Sequence, residues 1–196
     1  MYKKLIIVFE GIEGSGKSLH INNVANYLKK KKFRYIKIRE PGGNKNSEKI
    51  RRLILNNKSN FNKNTDLLLY LAARSENIEK VIKKNINKKI ILIDRFIDST
   101  VAYQHYGMGI DRKLIDFVNK KLLNQIKIGF TFLNIVNEQN LKNRLSKRKS
   151  LNRYDKFKIS FYNKVQNGFL RLSKKQKNKY QLINSNLNIA KNEKLI

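Results

Sequence analysis

The chain has no cysteine and no tryptophan, and its single proline is Pro41. Without cysteine there is no disulfide framework and no thiolate metal site, so a reducing, cytoplasmic setting is expected. No apolar run approaches the roughly 18 residues of a membrane span, and no membrane partner is expected. The N-terminal stretch LIIVF comes after two lysines but is far shorter than the roughly 7–15 residues of a signal-peptide core, and reads as a first β-strand. There is no internal repeat and no linker rich in Gly, Ser or Pro. At 196 residues and 40% hydrophobic content, a single domain over residues 1–196 can bury a sizeable core.

Acidic residues are also scarce: 14 Asp and Glu against 44 Lys and Arg give a formal charge of +30. Such an excess invites a nucleic-acid partner. The lysines, however, are spread from Lys3 to Lys194 and interleaved with Asn and Ile, with no confined basic stripe. Lys, Asn and Ile are what AT-rich codons encode, so this pattern suits an ordinary enzyme coated with lysine. Salt-sensitive, unspecific association with polyanions is expected, and no specific nucleic acid.

Apolar runs alternate with helical patterns. Leu5–Phe9 is continuously apolar, as a strand buried on both faces should be. Ile21, Val24, Ala25 and Leu28 then fall on one helical face. Further strands are expected at Tyr35–Arg39, Lys89–Asp94, Phe130–Val136 and Tyr180–Ile183. Helices are expected around Ile50–Ile54, Asp66–Ile86, Ser99–Gln104, Asp111–Leu123, Asn137–Lys149 and Phe157–Leu172. Strands alternating with helices imply a three-layer α/β domain: a mostly parallel, five-stranded sheet covered on both sides.

The first strand runs into GIEGSGKS, residues 11–18. Gly11, Gly16, Lys17 and Ser18 fit the P-loop spacing, and the strand before and amphipathic helix after are its proper context. Backbone N–H groups across Gly11, Ile12, Glu13, Gly14, Ser15 and Gly16 can surround a phosphate, and the helix N-terminus adds favourable partial charge. Lys17 can reach the β and γ oxygens of a nucleotide, and the Ser18 hydroxyl can ligate Mg²⁺. Asp94 closes the apolar run IILID, where a carboxylate can hold a magnesium-bound water or cap the next segment of chain. Arg95 beside it supplies a fork of donors at the C-terminal end of a strand. A GTPase, an AAA-type motor and a small-molecule kinase all begin this way.

Four ordered blocks separate these possibilities: FEGIEGSGKS, REPGG at 39–43, YLAAR at 70–74 and DRFIDSTVAYQ at 94–104. With a weaker match through RLSKRKSLNRYD at 144–155, they cover most of the chain and resemble the bacterial thymidylate kinases, P-loop enzymes that phosphorylate dTMP to dTDP in dTTP synthesis. The resemblance implies ATP as co-substrate, Mg²⁺ as cofactor and a homodimer. It also makes Arg39, Glu40 and Pro41 walls of the monophosphate pocket and Arg51 a phosphate ligand. Tyr70 and Arg74, four apart and so on one helical face, would stack on thymine and donate to its O4. Tyr103 would pack against the sugar, where its bulk disfavours a 2′-hydroxyl, Gln104 would face the base, and Glu13 would accept from the 3′-hydroxyl.

Some members of the family carry a catalytic arginine inside the phosphate loop and others carry it in the lid. The loop here has Glu13 and no arginine, like the second group. A lid over about residues 142–155 is therefore expected to bring Arg148 or Arg153 onto the transferring phosphoryl group, joining Lys17, Arg95 and Asp94 in catalysis. The usual Gly-Arg-Gly after the AYQ block is Gly107-Met108-Gly109 here; acidic positions of relatives are Asn134, Asn152 and Asn184, and the C-terminal helix is expected to be nearly absent. His20 and His105 read as a helix-face and a loop residue and not as catalysts. Alternative readings are another nucleotide kinase of the same fold, a basic nucleic-acid-binding P-loop ATPase, and a nucleotide-binding protein that has lost catalysis.

Overall fold

The structure, a computed structural model, describes residues 5–196. In chain order the main elements are β1 (Ile6–Gly11), α1 (Lys17–Lys30), β2 (Tyr35–Arg39), α2 (Lys45–Leu55), α3 (Lys63–Asn77), α4 (Lys83–Asn85), β3 (Ile90–Asp94), α5 (Ile97–Thr100), α6 (Arg112–Leu123), β4 (Phe130–Ile135), α7 (Glu138–Ser146), α8 (Ile159–Lys175), β5 (Tyr180–Asn184) and α9 (Ile189–Glu193). Two wide-turn π-helical stretches continue helices, Ile78–Ile82 joining α3 to α4 and Val101–Gly107 extending α5.

All five strands are parallel, in the order β2-β3-β1-β4-β5. Because the central strands β1 and β3 are covered on both faces, alternate side chains enter opposite layers. Phe9, Leu92, Phe132 and Ile183 pack with Ile21, Ala25 and Leu28 of α1. Val8, Ile91 and Ile93 point the other way, against Ile78, Ile82, Ile86 and Phe96. On that second face Leu133 joins Tyr162, Val165 and Phe169 of α8. Sheet order 2-3-1-4-5 reverses around β1, and ligands of open α/β sheets bind beyond the C-terminal ends of the strands at such a switch point.

The asparagine-rich composition has a structural use. Asn44, Asn62, Asn137, Asn152 and Asn188 each cap a helix or 3₁₀ turn, their side chains accepting from backbone N–H groups of the first turn. Those N–H groups otherwise lack intrahelical partners, and a cap of this type contributes about 1 kcal/mol.

The expected strands and helices are present, with shifted ends. The helix expected at Ser99–Gln104 runs over Ile97–Gly107. His105 is therefore part of a helical segment and not a loop, with its Nδ1 2.8 Å from the Ile110 carbonyl oxygen. Helix α7 stops at Ser146, short of Lys149, and Asn152 starts a separate 3₁₀ turn, Arg153–Lys156. Phe157 lies before α8, packed under the core. Met108 also packs against that core.

Candidate active site

A cavity of about 590 Å³ opens at the C-terminal ends of β1 and β3. Its floor is the phosphate loop, whose shape needs glycine. A Cβ on Gly11 would sit 2.4 Å from the Asn134 carbonyl oxygen of the neighbouring strand, and Gly16, which starts α1, has φ +86°. Both conditions admit glycine without strain and nearly nothing else. Lys17 folds back over the loop, donating to the carbonyl oxygens of Gly11 (3.0 Å) and Ile12 (2.8 Å). Burial, and next the Arg95 charge, lower its ammonium to about 8. Ser18 is exposed to the cavity beside it.

Arg95 is held at φ +66°, a conformation rare outside glycine. Its guanidinium donates to the Gly11 carbonyl (2.9 Å) and to Glu13 Oε1 (2.7 Å), and lies 5.1 Å from the centre of the Tyr103 ring. Burial alone would lower its basicity; Glu13 and the neighbouring acidic groups more than reverse that, and Arg95 stays charged. Tyr103 in turn donates its hydroxyl to Glu13 Oε2. Glu13, Arg95 and Tyr103 thus form one bonded unit in the cavity wall. Behind it, Glu10 accepts from the backbone N–H groups of Phe96 (2.8 Å) and Ser99 (3.2 Å) and from the Ser99 hydroxyl (2.5 Å), fixing the turn that carries Arg95.

On the β2 side, Arg51 donates to the Pro41 carbonyl at 2.7 Å, and both residues line the cavity. Tyr70 lines it half-buried, edge-on to Tyr154. Arg74 is only 2% exposed: Nε donates to Glu40 (2.8 Å), Nη1 to Asn119 (2.7 Å) and Nη2 to the Phe96 carbonyl (2.9 Å). Gln104 is buried and makes one long contact, 3.5 Å, to the Tyr154 hydroxyl.

Among the described residues, five buried side-chain atoms find no partner, and four belong to residues lining this cavity: His20 Nδ1, Asp94 Oδ1, Thr100 Oγ1 and Asn192 Oδ1. Orphaned polar atoms are costly in a core but ordinary where a ligand completes them. Thr100 was not legible as a site residue in the sequence; only its place one turn after Asp94-Arg95 pointed to it.

The arginines expected in a lid divide differently from the sequence expectation. Arg153 turns away from the cavity: it pairs with Asp66 and donates to the Ile54 carbonyl, 3.1 Å away. Arg148 lines the cavity, paired with Asp155. Arg144, which nothing in the sequence set apart from its basic neighbours, also lines it, donating to the carbonyls of Gly14 (2.8 Å) and Ser185 (2.6 Å). Spacing cannot tell these apart, because Asp66 and Ser185 come from remote segments. Arg39 is a second departure: it is exposed, paired with Glu48 at 3.1 Å, and does not line the cavity. Glu40, just past the end of β2, continues the pairing to the Asp94 carbonyl, so the two side chains alternate to opposite faces, and Glu40 is the one that lines the site.

Among the described residues there is no cluster of three His, Asp or Glu that would cage a metal by itself. The donors present, one hydroxyl and the unpartnered Asp94 oxygen, suit Mg²⁺, which keeps waters and takes phosphate oxygens as ligands.

Comparison with known proteins bears on this arrangement. Residues 9–196 match the family model described as thymidylate kinase. A thymidylate kinase of Sulfurihydrogenibium sp. (strain YO3AOP1) is 39% identical over 97% of this chain and 93% of its own length. One from Thermosipho africanus is 39% identical over 89% and 87%. The crystal structure of thymidylate kinase from Ehrlichia chaffeensis superposes with a TM-score of 0.77 at 32% identity, covering 94% of this chain and 89% of that one.

Proposed function

The chain belongs to the thymidylate kinase family, and from that premise we propose how its own residues divide the work. The protein is a nucleoside monophosphate kinase that transfers a phosphoryl group from ATP to dTMP, giving dTDP and ADP. The observation that carries the residue assignment is that the phosphate loop and the Tyr70–Arg74 face line one and the same cavity. The bonded Glu13–Arg95–Tyr103 unit lines it as well.

In this reading the loop N–H groups and Lys17 hold the ATP phosphates. Arg51 and Arg95 hold the phosphate of dTMP. Tyr70 stacks on the thymine, Arg74 donates to its O4, and Thr100 and Gln104 face the base edge. Tyr103 covers the sugar carbon that bears a hydroxyl in ribonucleotides. Glu13 keeps lone pairs free for the sugar 3′-hydroxyl while holding Arg95. The acceptor phosphate is already ionised at neutral pH, so no side chain need remove a proton. Its oxygen attacks the γ-phosphorus in line as the bond to the β-phosphate oxygen breaks. Arg95 from the acceptor side and Arg148 from a lid over about residues 142–155 place positive charge on the equatorial oxygens, where it matters most. Ser18 and Asp94 would hold Mg²⁺, which supplies charge neutralisation at the phosphates when bound.

We also propose a homodimer in the cytoplasm. Adjacent helices α3 and α6 expose Leu68, Leu114 and Phe117, an apolar strip that a second copy would cover. No described helix is long and apolar enough to cross a membrane.

The test is ADP production from Mg-ATP with dTMP, dUMP, UMP, CMP and AMP in turn, with Lys17→Ala beside the native protein. Turnover highest with dTMP and lost in the variant supports the assignment. Turnover that survives Lys17→Ala overturns it.

A further inference from the structure

The guanidinium that reads the base is itself held by a residue from outside the ligand cavity. Arg74 has five N–H groups and no acceptor. Three are committed inside the protein, to Glu40, Asn119 and the Phe96 carbonyl, which leaves one N–H on each terminal nitrogen. Asn119 sits on α6, is 5% exposed, and does not line the cavity. It presents its amide oxygen to Nη1, the only orientation in which it can bond an arginine.

We propose that Asn119 is a positioning residue that sets base specificity by locking Arg74 as a donor-only fork, selecting a 4-oxo pyrimidine over a 4-amino one. This rests on Arg74 being the contact to O4. The Glu40 contact fixes only Nε; rotation about that end would swing both terminal nitrogens. The Asn119 oxygen and the Phe96 carbonyl pin one terminal nitrogen each, so the two uncommitted N–H groups keep a fixed direction. A base with a carbonyl at position 4 accepts from them. A base with an amine there brings donor against donor, and a rigid fork cannot turn away to relieve it. An amide suits the place better than a carboxylate. Glu40 already neutralises Arg74, and a second buried carboxylate would be unpaired.

The experiment measures kcat and KM with dTMP and dCMP, and KM for ATP, in Asn119→Leu, Asn119→Asp and Arg74→Ala, with the Tm of each. Asn119→Leu, similar in bulk but with no acceptor, is expected to raise the dTMP KM about tenfold, consistent with one hydrogen bond to a charged group. It should lower the preference for dTMP over dCMP by a similar factor and leave kcat and the ATP KM within about threefold. Asn119→Asp keeps an oxygen acceptor, so it is expected to lower Tm while retaining the preference. That opposite ordering of stability and selectivity is something a merely structural role would not produce. If Asn119→Leu does not fold, Asn119→Ser, too short to reach Nη1, replaces it with the same expectations. Unchanged preference in the Leu or Ser variant, while Arg74→Ala loses it, overturns the positioning role alone. Unchanged preference in Arg74→Ala overturns the base-contact reading beneath it.

Discussion

Replacing Glu10 by Gln should change how stability depends on pH in a calculable way. Glu10 is wholly buried, and its carboxyl is pushed up to about 7, first by burial and then by the nearby Asp98 carboxylate; the Ser99 hydroxyl and Phe96 N–H oppose the rise. Unfolded, the group titrates near 4.5. Between these values the native state holds more protons than the unfolded chain, so raising the pH removes stability. The loss starts near pH 4.5 and is complete a little above pH 7. At about 1.4 kcal/mol per tenfold, it amounts to about 3 kcal/mol. Asp98 and Glu40, also raised by burial, add slope of the same sign to both proteins. Lys17, lowered to about 8, adds a slope only above that value. The clean observable is therefore the difference between variant and native protein. Glutamine keeps an oxygen for the Phe96 and Ser99 N–H groups, and its NH₂ can donate to the Ser99 hydroxyl as a protonated carboxyl would. At pH 4.5 the two proteins should agree within about 1 kcal/mol, the net worth of one hydrogen bond. By pH 8 Glu10→Gln should be ahead by about 3 kcal/mol, roughly 6–12 °C in Tm for a chain of this size. Thermal scans at half-unit pH steps measure it. A Tm difference that stays flat from pH 4.5 to 8 would refute the reasoning, because it would mean that Glu10 bears no penalty for ionising.

Arg148→Ala should lower kcat by about 10³ or more with little change in either KM, the range for a cation placed on the transferring phosphoryl group; single-turnover measurement of product formation checks it. Arg153→Ala should instead cost about 3–5 kcal/mol of stability by leaving buried Asp66 unpaired. Well below its Tm its kcat should stay within a few fold of native, as denaturant curves and kinetics together would reveal. Tyr103→Ala should narrow the preference for dTMP over the ribonucleotide TMP by about tenfold, seen in the ratio of kcat/KM values. Chelation with EDTA should abolish turnover without altering the circular dichroism spectrum, and added Mg²⁺ should restore it.

The phosphate loop was legible because its chemistry is local. Gly11, Gly16, Lys17 and Ser18 stand within one short stretch of chain at fixed spacing, and the strand and helix that frame it announce themselves by apolar periodicity. The same is true of the central strands β1 and β3, near-continuous apolar segments, and of the Tyr70–Arg74 pair, whose facing results from helical spacing. Family resemblance extended this to Arg51, Arg95 and Tyr103, which line the cavity. Arg39 shows where a linear reading stops. It adjoins Glu40 in a shared motif, yet strand alternation turns only one of the two inward.

What the sequence determined by itself was the class of chemistry and the layered α/β architecture, since both depend on spacing along the chain: period two in strands, 3.6 in helices, and fixed offsets in the phosphate loop. Only the tertiary structure decided which cations line the cavity and what holds them. Arg148 and Arg153 stand in one basic run and are chemically identical. Asp155, close in sequence, leaves the first at the cavity, whereas Asp66, 87 residues away in sequence, draws the second out of it. Arg74 likewise depends on Glu40 and Asn119, brought to it by separate elements of the fold. A long charged side chain takes its direction from whichever partner shares its burial, and that partner is set by packing and not by neighbourhood in the chain.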